Sequence, residues 1–328
     1  MTASAPIQGV YAALPTPFDE KRAIDPKALD HLVDYLAERK IAGLALLTEA
    51  AEDALLSAEE RRTIIKTVTA RLKNKRGWLV SVSTPASYEA VELAKFAESK
   101  GALAVILTAP RIPGIGYREL YRHLDRVARG VAIPVLLTSR PGNAIDALLP
   151  EELEALIGHA SLKGIVAPHA LPSVIETWAK RFKGRNATIL AGTSLAGRGS
   201  MKAGATGFVC GLATIAPELA AELWSALKMD ARQTVDRLEN QAAPVVEALG
   251  PQLTGETKDG VAKLATKIAR RSLDSTSHPP TYPFAMMKET LKMQGHPVRP
   301  DVRAPYESPR PDAIERLRAV LSQGGVLP

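Results

Sequence analysis

Eight short apolar runs divide the first two-thirds of the chain. Each is followed by a longer segment in which apolar residues recur with helical spacing. The runs are Gly9–Leu14, Gly43–Leu47, Trp78–Val82, Leu103–Leu107, Ile133–Leu137, Leu162–Val166, Thr188–Ala191 and Gly207–Gly211. Successive runs start 19 to 35 residues apart, which leaves room for a crossover helix between parallel strands. Near-continuous apolar strands are typical of a sheet buried on both faces, so the pattern predicts a (β/α)8 TIM barrel.

Residues that favour helix N-termini follow several of these runs. Asp25 precedes Pro26, and Ser57 is followed three residues later by Glu60 in the order of a capping box. Beyond the eighth run, helical periodicity covers Pro217–Leu227, Thr234–Leu249, Val261–Arg271 and Asp312–Gln323, and a proline-rich passage contains Pro279, Pro280 and Pro283. We therefore predict a barrel over residues 1–227 and a C-terminal helical region over residues 228–328.

Composition and charge narrow the class of protein. The chain is 46% hydrophobic and 23% charged, and no run approaches the roughly 18 apolar residues of a membrane span. No signal-peptide pattern opens the chain, so we expect a cytoplasmic protein. The lone Cys210 excludes an intrachain disulfide and a cysteine-based zinc site. The net charge of +7 is compatible with an anionic metabolite as ligand. Basic residues such as Arg61 and Lys66 are predicted to lie on solvated helix faces, so we do not expect the protein to bind nucleic acid.

The segment Gly9–Phe18, followed by Ile24-Asp25, resembles the start of the dihydrodipicolinate synthase/N-acetylneuraminate lyase family. The similarity continues in Leu56–Arg61, Pro134–Leu137, Leu190–Gly192, Gly204–Gly207, Val298–Pro300 and Leu317–Leu321. The resemblance implies a (β/α)8 barrel that assembles as a homodimer or homotetramer. It also implies class I aldolase chemistry, in which a lysine forms an imine with a keto acid and neither a metal nor another cofactor is needed.

Two positions that carry this chemistry in the resembled family hold other residue types here. The lysine at the end of the sixth strand corresponds to Val166, and the tyrosine after the fifth strand corresponds to Thr138. The family's interval of 28 residues between the two is kept, so no gap hides a displaced lysine. An imine needs a primary amine, and a threonine hydroxyl is far less acidic than a phenol.

Two further motifs of the family are also altered. Its Gly-Thr-Thr-Gly-Glu motif, which binds the keto-acid carboxylate, corresponds to Thr48-Glu-Ala-Ala-Glu52 and keeps only Glu52. Glu49 therefore stands where a carboxylate would bind. The family's tyrosine pair after the fourth strand corresponds to Pro110 and Arg111. Together these departures predict that the imine chemistry is absent.

The pocket of such a barrel is formed at the C-terminal ends of its strands. The predicted pocket residues are Thr48, Glu49, Arg111, Thr138, Arg140, His169, Gly192 and Thr193, with Thr16 and Ser194 nearby. Arg111 and Arg140 form an anion clamp or are exposed loop arginines. His169 is a general base or a loop histidine without a role. The glycine-rich turn from Gly192 to Gly197 is a weak phosphate-binding pattern, and we predict no metal site.

Three functions remain open at this point. We favour a pseudoenzyme that binds a ligand or supports an assembly. The alternative is a diverged lyase or hydratase that acts on a small oxo acid or sugar acid without a Schiff base, with His169 or Glu49 as base. The third is an aldolase with a displaced lysine. It is disfavoured because strand alternation turns Lys163 away from the barrel centre and Lys202 lies on a helix.

Overall fold

A computed structural model describes residues 6–73, 75–110, 112, 114–138, 150–159, 161–167, 172–192, 197–249 and 283–327. Eight parallel strands form a closed barrel in sequence order, which confirms the predicted TIM barrel. The strands are β1 (Gly9–Ala13), β2 (Gly43–Leu46), β3 (Gly77–Ser81), β4 (Ala104–Leu107), β5 (Val135–Thr138), β6 (Leu162–Ala167), β7 (Thr188–Ala191) and β8 (Gly207–Cys210). Pairing of β1 with β8, from Gly9 opposite Gly207, closes the ring.

Helices follow the strands and cover the outside of the barrel. They are α1 (Pro26–Ala37), α2 (Ala58–Leu72), α3 (Ser87–Ser99), α4 (Tyr117–Gly130), α5 (Pro150–Ile157), α6 (Pro172–Arg181), α7 (Gly197–Lys202), α8 (Leu212–Ile215) and α9 (Pro217–Lys228). Both predicted caps are present. The Asp25 side chain accepts hydrogen bonds from two backbone N–H groups of α1, and Ser57 and Glu60 form the capping box of α2.

Each strand presents one face to the barrel lumen and the other to the helices. The lumen cluster consists of Tyr11, Ala13, Ala45, Leu79, Ala104, Ile106, Leu136, Val166, Leu190 and Val209. The outward-facing residues, Cys210 among them, belong to a larger cluster shared with the helices. Because both faces are buried, the strands read as continuous apolar runs in the sequence.

Three further helices lie in the described C-terminal residues 229–249 and 283–327: α10 (Arg232–Ala248), α11 (Pro283–Met293) and α12 (Pro311–Gln323). Pro283, the last residue named in the proline-rich passage, begins α11, a helix that the sequence did not predict. Proline fits the first helical turn, where its missing N–H has no partner to lose. The predicted helix Val261–Arg271 lies outside the described residues, and the division at residue 227 stays a prediction. Within the described ranges, no helix has the length and apolar composition that a membrane crossing requires.

Candidate functional site

The ends of β5 and β6 place Thr138 and Val166 side by side. The two residues are partners in the β5–β6 register, and their exposed fractions are 3% and 4%. Val166 belongs to the apolar lumen cluster, and its partner in β7 is Leu190. Both positions lie at or next to the C-terminal ends of their strands, where barrels of this kind form their sites. The position that the resemblance assigns to a lysine is therefore a buried apolar point of the lumen.

A bulge shapes the start of β6. Leu162 pairs with Val135 and Gly164 pairs with Leu136, so Lys163 is the additional residue. Gly164 has a φ of +153°, and a Cβ there would lie 1.8 Å from the carbonyl oxygen of Thr188. Only glycine allows this approach of β6 to β7. Lys163 is thus at the end of the strand opposite to the mouth, and Lys202 is exposed at the end of α7; neither is placed beside Val166.

The mouth loop, residues 47–56, follows β2 and contains the segment Thr48–Glu52, to which the resemblance assigns the carboxylate-binding motif. Leu47 and Glu52 have φ angles of 52° and 55°, in the left-handed region that non-glycine residues rarely adopt. Glu49 is exposed and begins a 3₁₀ turn. The Thr16 hydroxyl donates a hydrogen bond to the carbonyl oxygen of Ala51 over 2.8 Å. This bond joins the mouth loop to the segment after β1.

Thr48 brings an unsatisfied polar atom to this loop. Its Oγ1 is buried and has no hydrogen-bond partner among the residues that the structure describes. A buried hydroxyl without a partner is costly, and native structures pair most such groups. The Thr48 hydroxyl is therefore a candidate contact for a ligand oxygen.

A buried ion pair holds the middle of the mouth loop. The Nζ of Lys288 on α11 lies 2.5 Å from Oε1 of Glu52, and both side chains are fully buried. Nζ also donates to the carbonyl oxygen of Asp301 over 2.8 Å and lies 4.3 Å from the centre of the Phe18 ring. Burial lowers the pKa of Lys288 to about 8, although the carboxylate of Glu52 opposes the shift. These contacts engage the Lys288 amine outside the lumen cluster, which argues against it as a displaced imine lysine.

Arg303 joins the same network. Its backbone N–H donates to Oε2 of Glu52 over 2.8 Å. Its guanidinium donates to both carboxylate oxygens of Glu60, at 2.5 and 2.9 Å, and to the carbonyl oxygen of Leu55 at 3.0 Å. Hydrogen bonding to Arg303 lowers the pKa of Glu60 to about 2. Residues 283–303, the C-terminal strap, are thereby attached to the mouth loop and to the start of α2.

Arg61 corrects another expectation from the sequence. The sequence pattern predicts a solvated helix face for Arg61, but its side chain is buried. Its guanidinium donates to the carbonyl oxygens of Asp53 at 2.6 Å and Ser83 at 3.3 Å. Arg61 therefore connects the loops that follow β2 and β3. The hydrogen-bond acceptors of Arg61 are backbone carbonyl groups. Because no pattern of side chains reveals such acceptors, the sequence alone could not show that Arg61 is buried.

The predicted pocket residues are only partly described. Thr48, Glu49, Thr138 and Gly192 lie in the described part of the chain, whereas Arg111, Arg140, His169 and Thr193 lie outside it, as does Ser194. The anion clamp and the general base therefore stay predictions. The backbone N–H of Gly192 donates to the carbonyl oxygen of Ala167 over 3.0 Å, so this N–H is engaged in joining β6 to β7 instead of facing a phosphate.

Lys288 and Arg303 are not among the residues that the sequence predicts for the site. The available signal was a single lysine within the otherwise mostly apolar segment Phe284–Leu291, all of which is buried. A charged residue at such a position is rarely buried without a partner. The partner, Glu52, is 236 residues away, so the sequence gives no local indication of it.

Comparison with known proteins yields consistent matches. The profile of the Dihydrodipicolinate synthetase family matches residues 6–254. The 4-hydroxy-tetrahydrodipicolinate synthase of Brucella abortus biovar 1 is 29% identical over 245 residues, which cover 74% of this chain and 83% of that protein. An uncharacterized DapA-like lyase of Pyrococcus horikoshii is 24% identical over 325 residues, which cover 96% of this chain and 100% of that protein.

Two solved structures share the fold at low sequence identity. A catalytic lysine mutant of the Ruminococcus gnavus sialic acid aldolase superposes with a TM-score of 0.81 and 16% identity, covering 97% of this chain and 95% of that one. The dihydrodipicolinate synthase of Aquifex aeolicus gives a TM-score of 0.79 and 20% identity, covering 98% and 99%. At these identities the likeness establishes the fold alone.

Proposed function

Because the chain belongs to the dihydrodipicolinate synthetase family, we propose that it is a member that binds a small anionic metabolite at the barrel mouth without forming an imine. In this proposal it is a pseudoenzyme with a binding or assembly role. The cytoplasmic location and the homodimeric or homotetrameric state that the sequence predicts are part of the same proposal.

The observation that carries the proposal is the pairing of Val166 with Thr138 at the mouth. Imine formation requires a primary amine that reaches the keto carbon, and proton relay requires a group that titrates more readily than an aliphatic hydroxyl. The aldolase of Ruminococcus gnavus has a catalytic lysine. In this chain the adjacent β5 and β6 positions hold a buried hydroxyl and a buried isopropyl group. Neither group is an amine, so neither can form the imine.

Anion binding is supported by the features that remain at the mouth. The Thr48 hydroxyl is a buried donor without a partner in the described residues. The net charge of +7 favours the approach of an anion. Arg111 and Arg140, which follow β4 and β5 in the sequence, are the predicted clamp for its carboxylate or phosphate.

A diverged lyase or hydratase is the second candidate. It is favoured by the same Thr48 hydroxyl, which can donate to an oxygen of a small oxo acid or sugar acid. A general base is then required, for which His169 and Glu49 are the predicted residues. Such an enzyme would cleave or dehydrate its substrate without a covalent intermediate.

A thermal-shift screen tests the proposal. The probes are pyruvate, a longer oxo acid, a sugar acid and inorganic phosphate. A ligand present at 100 times its Kd stabilises the protein by about 2.7 kcal/mol. The expected result is stabilisation by at least one probe, with weaker binding to Thr48→Val and unchanged binding to Thr69→Val. Thr69 is the matched control because its hydroxyl donates to the carbonyl oxygen of Ile65 within α2.

Two results distinguish the candidates. If none of the probes stabilises the protein, the binding proposal is wrong. If NMR spectra of the protein with a stabilising probe reveal a new product, and the rate falls in Thr48→Val, the second candidate replaces the first.

A further inference from the structure

We propose that the C-terminal strap sets the conformation of the mouth loop, so that Lys288 and Arg303 are positioning residues for ligand binding at the mouth. The affinity part of this inference rests on the proposed function, whereas the conformational part does not. Neither residue needs to touch the ligand. Each acts through the mouth loop, which carries Thr48 and Glu49.

The first argument is the backbone of Glu52. Its φ of 55° is unfavourable for a residue with a side chain, and such a conformation persists only where the surroundings over-determine it. Here the carboxylate is held on both sides. One oxygen accepts from Lys288 at 2.5 Å and the other from the Arg303 backbone N–H at 2.8 Å. The strap therefore supplies the contacts that hold Glu52 in the left-handed region.

The second argument is the spacing of the attachments. Ala51 is held by Thr16, Glu52 by Lys288 and Arg303, and Leu55 by the Arg303 guanidinium. Three attachment points within five residues leave the mouth loop little conformational freedom. Thr48 lies three residues before the first of them, so the position of its hydroxyl depends on where these bonds fix the chain.

The third argument concerns what a buried ion pair contributes. Removing two charges from water carries a large free-energy cost, and their mutual attraction offsets this cost only with good geometry and further hydrogen bonds. Such a pair therefore adds little to the net free energy of unfolding. It does restrict the chain to the few arrangements in which both charges are paired.

Hydrogen exchange measured by mass spectrometry on the full-length chain tests the conformational part. The variant is Lys288→Met, which keeps the length of the side chain and removes the charge. The matched control is Leu317→Ala. Leu317 is fully buried in α12, which packs against α11, so its truncation weakens the packing behind the strap while leaving both contacts of Glu52 in place. We expect exchange in residues 47–56 to become at least tenfold faster in Lys288→Met and to stay within twofold of wild type in Leu317→Ala.

Arg303→Gln provides a second variant if Lys288→Met does not fold. Its side chain is partly exposed, and its backbone bond to Glu52 is kept while the guanidinium bond to Leu55 is lost. Faster exchange confined to residues 47–56 is expected again. Equal exchange in wild type and both variants, or equal acceleration in Leu317→Ala, would overturn the inference.

Affinity is measured with whichever probe stabilises wild type in the thermal-shift screen. We expect Lys288→Met to weaken its binding at least tenfold and Leu317→Ala to leave the Kd within twofold. Unchanged affinity in Lys288→Met overturns the affinity part. If wild type binds none of the probes, the proposed function fails, while the exchange result decides the conformational part independently.

Discussion

A lysine introduced at position 166 should be poorly tolerated at neutral pH. Val166 is enclosed by the apolar lumen cluster, with Leu190 as its neighbour in β7 and Leu136 in the same cluster. Burial disfavours the charged amine and lowers the pKa of a lysine, by up to about 3–5 units when it is fully buried. For a depression of about two to three units, at 1.36 kcal/mol per unit, Val166→Lys should lose about 3–4 kcal/mol of unfolding free energy at pH 7.

The sign of the pH dependence follows from the same shift. The folded protein then binds fewer protons than the unfolded chain between the lowered pKa and the ordinary lysine value near 10.4. The free energy of unfolding of Val166→Lys, relative to wild type, should therefore rise with pH across this window.

Urea denaturation followed by far-UV circular dichroism at pH 7 and pH 9.5 measures both effects. Met229→Lys is the control, because Met229 is 72% exposed at the end of α9, and its unfolding free energy should change by less than about 0.5 kcal/mol. If Val166→Lys is as stable as wild type at pH 7, position 166 is solvated and is not enclosed by the lumen cluster.

Three other predictions concern buried titratable groups. Lys288→Met should lower the free energy of unfolding, measured by urea denaturation, by about 3–5 kcal/mol, because it leaves Glu52 buried without its cation. Adding Glu52→Gln should recover most of this loss; a double variant whose loss equals the sum of the two single losses would contradict the prediction. Burial, assisted by a nearby arginine, lowers the pKa of His123, so wild type should lose stability as the pH falls below about 6.5. His123→Gln should flatten that slope, and an unchanged slope would refute the assignment. Burial raises the pKa of Cys210 to about 11, so iodoacetamide at pH 8 should label the unfolded chain but not the native one; rapid native labelling would contradict its burial.

The fold could be predicted because its determinants are local and periodic. Each strand of the barrel appears as an apolar run, and the Asp25 and Ser57 caps are marked by residues a few positions apart. The start of α11 was missed because Pro283 reads as a helix breaker unless its N1 position is known. The bulge at Lys163 was missed because it depends on the register with β5, which the alternation within one strand does not contain.

The site could be predicted only where one position carries the chemistry. The resemblance pointed to Val166 and Thr138, and the structure places them side by side. The contacts of Glu52 with Lys288 could not be predicted, because a long-range ion pair leaves no periodic signal in either segment. The burial of Arg61 could not be predicted for a related reason. Helical spacing indicates the face on which a residue lies, but it does not show whether backbone carbonyl groups of neighbouring loops lie close enough to accept its hydrogen bonds.

Trapping with borohydride tests the central claim most directly. The wild-type protein is incubated with pyruvate and sodium borohydride, and its intact mass is measured, with a lysine-bearing member of the family as the positive control. Because the mouth offers Val166 where an imine needs an amine, the account predicts an unchanged mass for this chain and a reduced adduct for the control. A stoichiometric adduct that maps to one lysine of this chain would contradict it.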